Sequence, residues 1–210
     1  MKIGFLGTGN LAIALGTVWA GAGHEIFVAG RSADKAAKAA GELGGTPIDP
    51  AGLAAIVDVV VVAVAWEGLE PVLSLAGGPQ GSLAGKPVID CTNAVDFATG
   101  RLKTDGSAAE RVAELAPGAH VVKALHMYAG MSWLAPDKSV PKPTVAICGD
   151  DADALAITTT LIGDLGGDTA IVGGLSKARQ LEEAAGFLMS LVAAGHNPRS
   201  AIPDFQPAKA

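Results

Sequence analysis

Lys2-Ile3-Gly4-Phe5-Leu6-Gly7-Thr8-Gly9-Asn10-Leu11-Ala12 opens the chain, and the reading of this stretch decides the fold. Lys2 to Leu6 reads as a short apolar strand and Gly7-Thr8-Gly9-Asn10 as a tight turn. Leu11, Leu15, Val18 and Trp19 then recur on one face of a helix. Strand, Gly-x-Gly-x-x-Ala and helix, in that order, form a dinucleotide-binding fingerprint in the context it requires. Gly7 permits the tight turn, and Gly9 lets the backbone approach a pyrophosphate. Ala12 replaces the third glycine and still permits close packing of helix on strand. The pyrophosphate would rest on the free N–H groups at the helix start.

The next strand, Glu25 to Ala29, tells one dinucleotide from the other. An NAD site places an acidic residue at this strand's end to accept from the ribose 2′-hydroxyl. Here the end reads Ala29-Gly30-Arg31-Ser32, without an acid. Arg31 offers a planar fork of donors to a 2′-phosphate, Ser32 adds a hydroxyl, and Lys35 lies one helical turn further on. The expectation is NADP rather than NAD. The plainer alternative makes Ser32 a helix cap and leaves Arg31 and Lys35 as solvated surface charges.

Strand and helix continue to alternate. Asp34 to Leu43 reads as an alanine-rich helix, Val57 to Ala65 as a nearly continuous apolar strand, and Pro87 to Cys91 as another. Ser107-Ala-Ala-Glu110 is a capping box opening a helix that Pro117-Gly118 closes, and His120 to Leu125 is the next strand. Continuous apolar strands, unlike alternating ones, belong to parallel sheets covered on both faces. The expected class is α/β, a Rossmann-type doubly wound, mostly parallel sheet with a small C-terminal strand and helix extension. We expect an NADP-binding domain over 1–127. A C-terminal extension over 128–210 would complete the acceptor site and contribute to a dimer interface, the alternative being one continuous domain. In that extension Thr144 to Cys148 and Thr169 to Val172 read as strands. Ser176 reads as the cap of a last helix with Ala178, Leu181, Ala185, Leu188 and Val192 on one face. Met127 to Pro143 shows no period and reads as a functional loop.

Composition narrows the function classes. The chain has 210 residues, half of them apolar, and a net charge of −6, which argues against a nucleic-acid backbone as partner. The longest apolar run, Val59 to Trp66, suits a buried strand and not a membrane span. Cys91 and Cys148 lie far apart without a CxxC pair, so a reduced, cytoplasmic protein with two buried thiols is expected. His24, His120 and His196 show no metal spacing, and neither HExxH nor GxSxG is present.

Ligands of an open parallel sheet lie outside the carboxyl ends of its strands. Val64-Ala65-Trp66, Asn93-Ala94 and the end of Val122-Lys123-Ala124-Leu125-His126-Met127-Tyr128 should therefore border the nicotinamide half of the cofactor. His126 would face the crevice as an orienting or hydrogen-bonding group, donating to an acceptor or protonating product. Lys123 reads as a solvated strand residue in preference to a catalytic one. An apolar acceptor pocket is expected from Trp66, Met127, Tyr128, Met131 and Trp133. Hydride transfer between two heterocycles needs juxtaposed rings and exclusion of water, and no nucleophile.

The chain resembles the NADP oxidoreductases that depend on the deazaflavin coenzyme F420. The resemblance rests on GTGN at 7–10, AGRS at 29–32, Trp66-Glu67, Ser107-Ala-Ala-Glu110, VVKALH at 121–126, CGDD at 148–151 and the late helix from Ser176. It implies an NADP-dependent oxidoreductase exchanging a hydride between NADP(H) and coenzyme F420, both bound noncovalently, often as a homodimer. Thr8, Asn10, Arg31, Ser32 and Lys35 would hold NADP, and Ala124 to Met127 would border the stacked rings. Two alternatives are an NADPH-dependent reductase of a free flavin or small imine, and a non-catalytic module that senses NADP(H).

Overall fold

Val59–Val62 are four valines in a row, all fully buried. β-Branched side chains pack well on a pleated surface, and four without alternation require cover on both faces. They form the inner strand of a single sheet. The structure, a computed structural model, describes residues 1–136, 141–201 and 203.

The strands are β1 (Lys2–Leu6), β2 (Glu25–Ala29), β3 (Thr46–Pro47), β4 (Val59–Val62), β5 (Pro87–Asp90), β6 (His120–Lys123), β7 (Thr144–Gly149) and β8 (Asp168–Ile171). The helices are α1 (Asn10–Gly21), α2 (Ala33–Leu43), α3 (Pro50–Ile56), α4 (Trp66–Leu75), α5 (Ala108–Leu115), α6 (Met131–Leu134), α7 (Ala152–Asp164) and α8 (Ala178–Ala193). The sheet runs β3-β2-β1-β4-β5-β6-β7-β8. Every pairing is parallel except β6 with β7, where Val122 faces Gly149 and Lys123 faces Cys148. The chain thus winds outward from β1 to β3, returns to β4 beside β1, and winds outward the other way. That is the doubly wound α/β fold expected.

Two apolar layers cover the sheet. One gathers Phe5, Leu15, Trp19, Ile147 and Leu161. Trp19 stacks on Phe5 with ring centroids 5.7 Å apart, and its indole N–H donates to the Leu161 carbonyl at 2.8 Å, tying α1 to α7. The other gathers Leu53, Leu69, Leu73, Val88 and Val112. Ala178 of α8 joins that second layer.

Several elements differ from the sequence reading. β4 is shorter than the apolar run containing it: Val57 ends α3, and Ala65 precedes the first turn of α4, so Trp66 begins a helix instead of ending a strand. β3, α3, α4 and α6 had no counterpart in that reading. α3 nevertheless carries its own signal, because the Asp49 carboxylate accepts from the Ala51 amide at 2.9 Å and Pro50 opens the helix. α6 lies inside the segment read as one loop, of which 137–140 lie outside the described residues. Ser176 is not a cap: it sits in a short 3-10 turn over Leu175–Lys177, and α8 begins at Ala178 without a side-chain cap.

The turn after β1 depends on Gly7. Its φ is +143°, and a Cβ there would come within 2.2 Å of the Ala63 carbonyl oxygen beyond β4. Both backbone strain and a backbone clash follow from any side chain. Gly7→Ala is expected to lower stability by about 1–3 kcal/mol in denaturant unfolding; a midpoint equal to wild type would contradict this close approach.

Candidate functional site

The site is built at the carboxyl ends of the strands. Gly9 precedes α1 with φ −88°, a conformation open to any residue, and a Cβ there would meet no protein atom within 4 Å. Neither conformation nor internal packing therefore calls for glycine here, and the space outside it is open. No side chain caps α1 and its first turn holds no acid, so the N–H groups of Asn10, Leu11 and Ala12 are available to an anion. Gly7 is buried, Thr8 and Leu11 are half-buried, and Gly9 and Asn10 are exposed.

Arg31, exposed, stands beyond the end of β2 and lines a cavity of 570 Å³ with Gly30, Ala36, Pro47, Ile48 and Pro50. Ser32 caps α2, its hydroxyl oxygen accepting from the Lys35 amide at 3.3 Å. This is the cap of the plainer sequence alternative, and the hydroxyl hydrogen stays free to donate. The Lys35 side chain is exposed.

Beyond β4 and β5 a crevice of 160 Å³ is lined by Val64, Ala65, Trp66, Cys91, Asn93, Val95, Phe97 and Lys103, among others. Lys103 pairs with Glu67 at 2.6 Å at its mouth. Burial pushes the Cys91 thiol far above the usual range, so it stays protonated and unreactive. Cys91 and Cys148 are both buried and free.

Past β6 the backbone makes an unusual turn. Leu125, 1% exposed, has φ +60°, the one positive value outside glycine among the described residues. Such strain persists where the surroundings over-determine it, often at functional sites. Here two hydrogen bonds grip the next residue. The Asn93 side-chain amide donates to the His126 carbonyl at 2.7 Å, and the His126 ring meets the Leu181 carbonyl of α8 through Nε2 at 3.1 Å. A carbonyl only accepts, so Nε2 carries the hydrogen and Nδ1 is a bare acceptor. Nδ1 and the Asn93 Oδ1 are both buried without a protein partner. Asn93 and His126 line a small chamber with Val95, Phe97, Met127 and Leu188, and it adjoins the crevice through Asn93, Val95 and Phe97.

Burial first, then the Lys123 charge, hold the His126 pKa down to about 3 despite the Leu181 contact. His126 is therefore neutral at neutral pH and its one N–H is committed. It can accept a hydrogen bond but neither donates one to an acceptor nor protonates a product, which removes both of those roles and leaves an orienting one.

Of the predicted site residues, Val64, Ala65, Trp66 and Asn93 meet in the crevice, and Asn93, His126 and Met127 in the chamber. Ala94 and Ala124 are fully buried behind them. The apolar pocket expected from five residues does not assemble. Trp133 is buried and packs on Tyr128 at 5.1 Å between ring centroids, the Tyr128 hydroxyl donates to the Thr144 carbonyl, and Met131 is 68% exposed. α6 belongs instead to the α1 side, where Gly130 lies against Ala14 and Asn10. The chamber is lined instead by Val95, Phe97, Leu188 and Met189, of which only Leu188 figures in the sequence reading. Leu188 showed only as part of a regular stripe, and Phe97 stands in a segment without period. Lys123 is not solvated but fully buried between Asp90 and Glu182, because β6 is an inner strand flanked by β5 and β7. Among the described residues no cluster of His, Cys, Asp or Glu could hold a metal, and no helix is long and apolar enough to cross a membrane.

A Gly-rich turn at a doubly wound sheet's switch point, with a basic group past β2, defines the class of dinucleotide-binding Rossmann proteins. A sequence profile described as "NADP oxidoreductase coenzyme F420-dependent" matches residues 2–94. The F420-dependent NADP reductase of Methanothermobacter marburgensis is 30% identical over 210 residues, 91% of this chain and 92% of the relative. The chain belongs to the family of F420-dependent NADP oxidoreductases. A protein from Arthrobacter sp. FB24, provisionally named an F420-dependent NADP-reductase, has a crystal structure that superposes with a TM-score of 0.78 at 26% identity, over 94% of this chain and 96% of that one. The metalloreductase STEAP3 of Rattus norvegicus is 29% identical over 181 residues; the match takes in 86% of this chain but only 36% of that longer protein.

The neutral His126 has a consequence for stability. Its folded pKa of about 3 lies below the ordinary 6.5. Below pH 6.5 the unfolded chain takes up a proton that the folded chain refuses. Stability is therefore full above that pH and falls toward pH 3, by at most about 1.4 kcal/mol per pH unit. A His126→Gln variant is expected to lose this component in denaturant unfolding measured from pH 7 to 4; an acid slope equal to wild type would contradict the burial of a neutral ring.

Proposed function

We propose that this protein transfers a hydride between NADP(H) and coenzyme F420, both held noncovalently, by direct juxtaposition of the two rings. The residues present fit NADP(H). The pyrophosphate would lie on the open side of Gly9 against the N–H groups of Asn10 and Leu11, with Thr8 beside it. Arg31, the Ser32 hydroxyl and Lys35 would take the 2′-phosphate. Val64, Ala65 and Trp66 would flank the ribose, and Asn93 and Ala94 with Ala124 to Met127 the nicotinamide. The buried bare acceptors Asn93 Oδ1 and His126 Nδ1 suit N–H donors such as those of a carboxamide.

The observation that carries the reading is the state of His126. When bound, the two coenzymes supply the hydride and the ring that accepts it. The chain's part is to bind, orient and keep water out, since His126 offers an acceptor and no proton. Exchange between heterocycles is compatible with that; reduction of an imine or carbonyl more often needs a proton donor. Residues 128–210 would complete the acceptor side through α8. We take the protein to act as a homodimer in the cytoplasm. That rests on Phe187 and Val192, which are 54% and 52% exposed on α8, and on the two free thiols.

Mixing NADPH, oxidised F420 and the protein should bleach the visible absorbance of the deazaflavin. If F420 is inert while flavin mononucleotide is reduced, a flavin reductase is the better reading; tight NADPH binding with no acceptor consumed would favour a sensing module. Arg31→Glu is expected to weaken NADPH binding about 100-fold in calorimetry, with NADH little affected. An unchanged NADPH preference would remove Arg31 from the 2′-phosphate.

A further inference from the structure

Three charged side chains lie completely buried where β5, β6 and α8 meet. The Lys123 ammonium is 2.9 Å from Asp90 Oδ2 and 2.8 Å from Glu182 Oε1, and it donates to the Thr92 carbonyl. Asp90 Oδ1 accepts from the Thr92 amide at 3.0 Å. Both Glu182 oxygens accept from the Ala108 amide at the start of α5, at 2.9 and 3.0 Å. Burying such a cluster is costly, and well-packed apolar residues of the same volume are often no less stable. Stability alone is thus a weak reason for it.

Its neighbours in the chain supply a better one. Thr92 precedes Asn93, and Lys123 lies one turn of chain before His126. Glu182 follows Leu181, whose carbonyl holds the His126 ring. Between Lys123 and His126 runs the strained Leu125. Oriented charges fix one register of α8 on the strand ends, where an apolar contact would tolerate sliding.

We infer that Lys123, Asp90 and Glu182 are positioning residues for the hydride-transfer site, where nicotinamide and acceptor would meet. They dock α8 on the ends of β5 and β6, and so hold Asn93, His126 and the chamber wall of Ala185, Leu188 and Met189 in register. The identity of the acceptor rests on the function proposed above; the positioning of His126 does not.

Two variants test this. Glu182→Gln removes one charge at nearly constant volume. Gly186→Ala leaves the charges alone but sets a Cβ 2.2 Å from the Gly100 carbonyl oxygen, levering α8 away from the loop before α5. In both, the KM for F420 should rise about tenfold and NADPH binding should weaken with it, while the dissociation constant of adenosine 2′,5′-bisphosphate, which lacks the nicotinamide, stays within about twofold. The side-chain 15N spectrum of His126 should lose its single Nε2–H tautomer. Variants that melt earlier yet keep the wild-type KM and tautomer would make the cluster merely structural and overturn the inference. Equal weakening of adenosine 2′,5′-bisphosphate would overturn it too. If wild type does not turn over F420, the substrate reading fails by itself, and the His126 spectrum of the variants still decides. If Glu182→Gln does not fold, Gly186→Ala decides by the same readouts.

Discussion

The reversal of winding between β1 and β4 is the constraint on which the rest depends. Right-handed crossovers send the connections from β1 and from β4 to opposite faces of the sheet. Their loops part at the carboxyl ends and leave a gap between them. Gly7 keeps that gap narrow at its floor by letting the turn after β1 touch the backbone at Ala63. Gly9 keeps it open at its mouth. The same two residues thus serve opposite demands, close packing inward and free space outward.

Polar groups divide into two sets around the gap. The charged set, Lys123 with Asp90 and Glu182, is wholly buried and wholly partnered, and the two carboxylates outweigh burial and hold the Lys123 pKa above the ordinary lysine value. The neutral set, Asn93 and His126, is partnered on one side only, each keeping a bare acceptor beside the chamber. Unpartnered buried acceptors cost free energy unless a ligand satisfies them, whereas a satisfied ion cluster rigidifies what it joins. A rigid layer beneath an unsatisfied one keeps the two bare acceptors from turning inward to find other partners.

Much of this was legible in the residues. The strand, turn and helix over 2–21 are local features: apolar spacing, glycines and a helix face all lie within a few residues of one another. So are the capping box at Ser107, where the hydroxyl accepts from the Glu110 amide at 3.1 Å, and the missing acid after β2. Short elements such as β3 and α6 escaped because two to four residues carry no period. The chamber escaped for another reason. Phe97, His126 and Leu188 come from three segments whose meeting depends on how α8 lies.

By itself the amino-acid sequence determined the class of fold, the dinucleotide turn and the basic group that follows β2, because each rests on neighbours along the chain. Only the tertiary structure decided that Lys123 is buried, that Glu182 is its partner and that His126 is a neutral acceptor. A side chain's charge state and free lone pairs are set by what surrounds it in space, and here those surroundings arrive from residues far away in sequence.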